Sequence, residues 1–141
     1  MYQRILALTL LASLGYGSKE RVWNPEGNVQ VFQKQLAEIK CNFETTDTSP
    51  FLFWYIQPLS GSPRHLITKT PTYSTNAEGF GERFKSTLNL EDKTVHLKIA
   101  SSRLSDSAIY FCALRPTVRT MKLRALHKLL SQKYCFINDN L

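Results

Sequence analysis

The run Asp106-Ser107-Ala108-Ile109-Tyr110-Phe111-Cys112-Ala113-Leu114 decides how the rest of the chain reads. In an extended strand, Ala108, Tyr110 and Cys112 fall on one side and Ile109, Phe111 and Ala113 on the other, so both faces are apolar. Leu52 to Gln57 repeats the pattern. Leu52, Trp54 and Ile56 form one set, and Phe53, Tyr55 and Gln57 form an opposite set that is largely aromatic. One face of each strand can enter a core. A second face showing Tyr55 and Phe111 needs a cover of its own, and a partner domain is the simplest one.

Working outward, the remaining runs alternate more cleanly. Ala37, Ile39, Cys41 and Phe43 alternate with Glu38, Lys40 and Asn42, and Val95, Leu97 and Ile99 alternate with His96 and Lys98. These predict strands with one buried and one wet face. Phe84, Leu88 and Leu90 share one parity in the strand before, with Glu91 and Asp92 marking the turn between them. Pro58 to Pro63 encloses Ser60, Gly61 and Ser62, a turn composition, and a strand is expected to resume at Arg64. Short runs of period two, separated by Gly, Pro, Ser, Asn or Asp, make the chain all-β.

The 141 residues suit one domain. Arg4 followed by the apolar run Ile5 to Leu14, then Gly15 and Gly17 about Tyr16, has the layout of a signal peptide over 1–17, with the mature start near Ser18. The run is too short to span a bilayer, and a buried core helix is the alternative. Secretion implies an oxidising compartment in which Cys41 and Cys112 can pair, leaving Cys135 over. The net charge of +7 is unevenly spread: residues 18–114 carry +1, and 115–141 carry +5. A nearly neutral body lacks the basic face that displaces phosphate counterions, so nucleic acid is not an expected partner.

A two-sheet sandwich of this size needs a device that pins its layers. The series Cys41, Trp54, Cys112 supplies one, the tryptophan packing on the bridge. Closing a loop of about 70 residues contributes roughly 4 kcal/mol in the chain-entropy account. Tyr110, two residues before Cys112, is placed for a buried hydroxyl that bonds back to the main chain, with an ordinary core tyrosine as the alternative. Arg83 and Asp106 sit where such domains close one end with a bidentate ion pair.

Four stretches carry a more specific likeness: Phe53-Trp54-Tyr55-Ile56-Gln57, Gly81-Glu82-Arg83-Phe84, Val95-His96-Leu97-Lys98-Ile99 and the opening run from Asp106 to Leu114. Together they resemble a T-cell receptor alpha-chain variable region, from the leader to Leu114, with delta usage also open. The resemblance implies an immunoglobulin-like V-type Greek-key β-sandwich. It implies that Tyr55, Gln57, Pro63 and Phe111 face a beta-chain variable domain. A first recognition loop over Thr45 to Phe51 would present Thr46, Asp47, Thr48, Ser49 and Pro50. A second within Thr68 to Asn76 would present Thr72, Tyr73 and Ser74, with Tyr73 as anchor, and a third would begin after Cys112. The implied ligand is a peptide held by a histocompatibility molecule. Signalling subunits of the receptor would attach through other regions, and the localisation would be the extracellular side of the plasma membrane.

The resemblance stops at Leu114. Variable domains end in a strand with a Phe-Gly-x-Gly bulge, yet no glycine follows Gly81. The final strand is therefore expected to be missing or replaced by a non-homologous tail over 115–141. That would leave the strand around Phe111 as an exposed, aggregation-prone edge. The codons of Pro116-Thr117-Val118 can contain the recombination-signal heptamer CACAGTG, and those from Leu126 to Leu129 permit a near-match to its nonamer. This reads as an unrearranged segment translated into flanking DNA. Alternatively Met121, Ala125, Leu126, Leu129 and Leu130 would line one face of a basic helix.

Catalysis and metal binding find no support. His65, His96 and His127 are far apart, with no cysteine or carboxylate at ligand spacing, and no nucleophile elbow, phosphate loop or carboxylate pair stands in context. No cofactor is expected, and no Asn begins an N-glycosylation triplet. Two binding functions remain: an antigen-recognition module, or a stand-alone V-set adhesion or inhibitory receptor, which would need its own last strand and an anchor.

Overall fold

The computed structural model describes residues 20–115 and 130–138. The leader, residues 116–129 and the last three residues lie outside them, so the signal peptide, the heptamer codons and most of the helical alternative do too. Among the described residues ten strands form two sheets. In chain order they are β1 (Arg21–Trp23), β2 (Val29–Phe32), β3 (Ala37–Glu44), β4 (Leu52–Pro58), β5 (Arg64–Lys69), β6 (Ser74–Asn76), β7 (Phe84–Asn89), β8 (Thr94–Ile99), β9 (Ala108–Leu114) and β10 (Leu130–Asn138). One sheet has the order β1-β3-β8-β7, the other β2-β10-β9-β4-β5-β6. This is the V-type sandwich. Consecutive β1 and β2 belong to different sheets, and the crossing is made at Asn24 to Asn28, where Pro25 and Gly27 interrupt pairing.

The two inner faces are built as the alternation dictates. Every second residue of β3, Ala37, Ile39, Cys41 and Phe43, is buried, as are Val95, Leu97 and Ile99 of β8. From the other sheet come Leu52, Trp54 and Ile56 of β4 and Ala108, Tyr110, Cys112 and Leu114 of β9. Cys41 and Cys112 are bridged across the layers with their Cα atoms 6.5 Å apart. Trp54 stands beside Cys112 in the β4–β9 register and is fully buried.

Burying an indole leaves its N–H to be satisfied, and the partner is Ser86 of β7. Trp54 Nε1 donates to Ser86 Oγ at 3.1 Å, and that hydroxyl donates on to the His96 carbonyl at 3.0 Å. Tyr110 is equally enclosed. Its hydroxyl donates to the Asp106 carbonyl at 2.6 Å, and burial, helped by Cys135 and Asp106, pushes the phenol far above the usual tyrosine range. Asp106, itself buried, takes two parallel bonds from Arg83 at 2.9 and 3.0 Å and a third from the Arg103 amide at 2.8 Å. The guanidinium also reaches the carbonyls of Ala100 and Ser101, so one ion pair ties β7 to the segment entering β9. Glycine is needed at Gly79 and Gly81, whose φ values of 92° and 61° shape the approach to β7.

One expectation requires correction. The sequence, lacking a glycine bulge, predicts an open edge at β9, but β10 lies against that edge. The tail supplies the replacement strand. It pairs antiparallel with β9 from Leu130↔Ala113 to Cys135↔Ala108 without a break, and parallel with β2 from Cys135↔Val29 to Asn138↔Phe32. A ladder requires only extended backbone in phase, which no glycine is needed to provide. Cys135 and Ile137, two residues apart, put apolar side chains into the core, and Ser107 Oγ accepts from the Ile137 amide at 2.8 Å. Leu130, assigned to a basic helix in the alternative reading of the tail, lies in this strand.

Replacing Ile137 with Asp would set an unpaired charge in the core and should cost about 3 kcal/mol or more. Hydrogen exchange of the full chain is expected to show faster exchange across the β9 amides in Ile137→Asp than in the parent. Unchanged β9 protection would mean that β10 does not cover this edge.

Candidate functional site

The two sheets present different outer faces. On the four-stranded sheet the outward side chains are polar or charged: Arg21 pairs with Glu44 at 2.9 Å and Lys40 with Glu26 at 2.8 Å, and His96 Nδ1 lies 3.0 Å from Glu38 Oε1. Such exposed pairs add little stability, and they keep the face wet. The six-stranded sheet instead shows Phe53 and Tyr55 of β4 and Ile109, Phe111 and Ala113 of β9, all half-buried.

Register makes this a continuous strip. His65, Tyr55 and Phe111 stand in one row across β5, β4 and β9. Tyr55 meets the His65 ring edge-on at 5.9 Å and the Phe53 ring at 6.3 Å. Gln57, one step further along β4, reaches the Gly61 carbonyl only at 3.4 Å, and Pro63 is exposed at the start of β5. The four residues expected at a partner interface therefore lie on or beside one aromatic face. His65 joins them. The sequence alone does not mark it, because its place in the row depends on which strands are neighbours.

The segments expected to carry recognition are described for loops 1 and 2 and for the first residue of loop 3. Loop 1, Thr45 to Phe51, is organised from within: Asp47 donates its amide to Thr45 Oγ1 at 3.1 Å, and Asp47 Oδ1 accepts from the Ser49 amide at 2.9 Å. Thr46, Thr48 and Ser49 are exposed and Asp47 is half-covered. Pro50 is a correction. It is fully buried, so it shapes the loop without being available to a ligand.

Loop 2 lies within the range expected for it, with Thr68 and Lys69 ending β5 and Ser74 to Asn76 forming β6. Only Thr70 to Tyr73 remains outside the strands. The buried Thr70 hydroxyl accepts from the Thr72 amide at 3.3 Å and the Tyr73 amide at 3.1 Å, and the Thr70 amide donates to the Tyr73 carbonyl at 2.9 Å. Thr72, Tyr73 and Ser74 are exposed, Tyr73 at 44%. Loop 3 begins at Arg115, whose amide donates to the Phe51 carbonyl at 2.9 Å.

The immunoglobulin V-set domain family matches residues 24–129. A mouse T-cell receptor alpha chain V region, CTL-F3, is 37% identical over 107 residues, covering 76% of this chain and 78% of that one. The human T cell receptor alpha variable 14/delta variable 4 is 36% identical over 103 residues, covering 72% and 86%. The chain belongs to the T-cell receptor alpha variable regions of the V-set family. A rabbit alpha chain V region, RL-5, is 35% identical over 79% of this variable region and 80% of its own length. A solved chain from work on T cell specificity and activation by the superantigen toxic shock syndrome toxin-1 superposes with a TM-score of 0.68. It covers 84% of this chain and 98% of its own, and at 17% identity it speaks to the fold alone.

The V-set receptor family is a non-enzymatic one, and the alpha variable relatives make this an extracellular receptor domain of the cell surface. Among the described residues no three His, Cys, Asp or Glu side chains are grouped to hold a metal ion. None of the described helices is long and apolar enough to cross a membrane.

Proposed function

We propose that this variable region pairs with a T-cell receptor beta chain through the six-stranded face, and that its loop end then contacts a peptide held by a histocompatibility molecule. The observation that carries the pairing is the row His65, Tyr55, Phe111, a half-buried aromatic strip, whereas the other sheet turns polar and charged side chains outward. Apolar surface of that kind is unfavourable in water and favourable against a complementary domain. Gln57 and Pro63 would sit at the rim of the contact, where a polar donor and a rigid turn add register more than affinity. In the assembled receptor, signalling subunits would be engaged by other regions, and the whole would stand on the extracellular side of the plasma membrane. No cofactor and no nucleic acid enter this reading.

The tail carries a proposal of its own. Residues 115–141 read as translation of unrearranged flanking DNA, in which case rearranged chains exchange β10 for a joining strand. One observation favours a second reading, a stand-alone V-set adhesion or inhibitory receptor: the chain pairs its own last strand with β9 and β2. Genomic and transcript sequence separate the two. A CACAGTG heptamer in the Pro116 to Val118 codons and splicing or joining near Leu114 are expected. An intact tail in mature transcripts, with no heptamer, would favour the second reading.

Pairing is tested on the folded chain with beta-chain variable domains. Phe111→Glu should abolish heterodimer formation, since a charge buried in an apolar contact costs several kcal/mol, while leaving thermal stability nearly unchanged because Phe111 points out of the core. Analytical ultracentrifugation of the mixtures is the measurement. Heterodimers that survive Phe111→Glu would place the beta chain elsewhere.

A further inference from the structure

Of the two imidazoles among the described residues, only His65 stands on the six-stranded face, and an irregularity in the ladder puts it there. β4 and β5 shift register between Trp54 and Tyr55, so Trp54 pairs with Ile67 but Tyr55 with His65. Leu66 and Ile67 are then both buried, and His65 and Thr68 come out on the same side, half-buried. His65 Nε2 lies 2.8 Å from Thr68 Oγ1, which holds the ring, and the Tyr55 ring stands 5.9 Å away at 74°.

A charged imidazole at this place has no counter-ion among the described residues. From β4 it faces the Tyr55 phenol, and β6 brings only Ser74, Thr75 and Asn76. On β5 itself, Arg64 lies over the Phe80 ring, 5.0 Å from its centroid, and Lys69 ends the strand. β7 belongs to the other sheet, and its one charge, Lys85, is exposed to solvent. Glu78, in the turn after β6, forms no ion pair with His65. His96 is the contrast: on the other sheet, it has the Glu38 carboxylate 3.0 Å from Nδ1.

In the separate chain, water reaches the open side of the His65 ring and can solvate a proton on it. Under a partner domain that water leaves. A neutral imidazole then packs as one more flat ring beside Tyr55, whereas an imidazolium without a carboxylate is strongly disfavoured. The paired state therefore binds fewer protons than the separated chains. By linkage, pairing is full at neutral pH and weakens as pH falls through the range in which an imidazole ordinarily titrates, about 6.5.

We infer that His65 makes beta-chain pairing pH-sensitive, the neutral ring sealing the contact and its protonation loosening the heterodimer. The inference rests on the reading of the six-stranded face as the beta-chain interface. It goes beyond that reading by naming the residue that regulates the contact and the ligand, a proton, that does so. It holds on either reading of the tail, because β4 and β5 lie outside residues 115–141.

The test is the equilibrium pairing of the full oxidised chain with beta-chain variable domains, followed by sedimentation at about pH 7.5 and about pH 5.5. For one proton excluded on pairing, Kd should rise about tenfold between the two. His65→Phe keeps a flat ring without a titrating nitrogen and should abolish that rise. His65→Gln, polar and uncharged, should also pair independently of pH, and it decides the matter if the phenylalanine variant self-associates. His96→Gln should keep the full dependence of the parent.

A rise in Kd that persists in both His65 variants, or parent pairing that tightens on acidification, would overturn the inference. If the chain does not pair at either pH, the parent reading falls and the inference falls with it. Strong pairing at both pH values would sink only the role assigned to His65.

Discussion

The bridge between Cys41 and Cys112 is the constraint on which the rest depends. It joins β3 of one sheet to β9 of the other, with Cα atoms 6.5 Å apart, across a sequence separation of 71 residues. A crosslink of that span contributes roughly 4 kcal/mol through the unfolded state, a large part of what a domain of this size has. Its position matters as much as its energy. With β9 fixed at Cys112, the neighbouring β4 is set in register, and Trp54 falls beside the bridge with its indole N–H directed to Ser86. Tyr110 and Asp106 follow two and six residues earlier on the same segment, closing the lower end through Arg83.

The outer surface inherits its pattern from that inner one. Because side chains alternate, fixing Tyr110 and Cys112 inward forces Ile109, Phe111 and Ala113 outward, and fixing Trp54 inward forces Tyr55 outward. The aromatic face follows directly from the register of the core. The loop end is set in the same way, since Leu52 and Leu114 pair at the tops of β4 and β9 and deliver Phe51 and Arg115 side by side. A sandwich that holds its two central strands so firmly can vary its loops without disturbing the frame.

Much of this was legible in the residues. Period-two alternation in Ala37 to Phe43 and Val95 to Ile99 gives strands with one wet face, and the Cys, Trp, Cys series gives the sandwich. The two-sided apolar runs at Leu52 to Gln57 and Ala108 to Ala113 point to a covered face. What stayed hidden depended on packing between distant segments. Ser86 is one of many serines until Trp54 is seen to need an acceptor. Pro50 reads as a loop residue because its burial comes from neighbours that are not adjacent in sequence. His65 becomes notable only once β5 stands beside β4 and Tyr55. The tail was misleading for a different reason. A familiar glycine bulge was absent, but pairing with β9 and β2 needs only extended backbone and two inward apolar residues, Cys135 and Ile137.

Cys135 also offers a sharp check on the whole arrangement. It stands opposite Ala108, four residues along β9 from Cys112, or about 13 Å at the rise of a strand, too far for a disulfide. Non-reducing peptide mapping of the oxidised chain by mass spectrometry is therefore the most direct test. It should recover one crosslinked species joining the Cys41 and Cys112 peptides, with Cys135 absent from it. A Cys112–Cys135 or Cys41–Cys135 crosslink, or Cys41 and Cys112 recovered as thiols, would contradict the two-layer frame on which every assignment above depends.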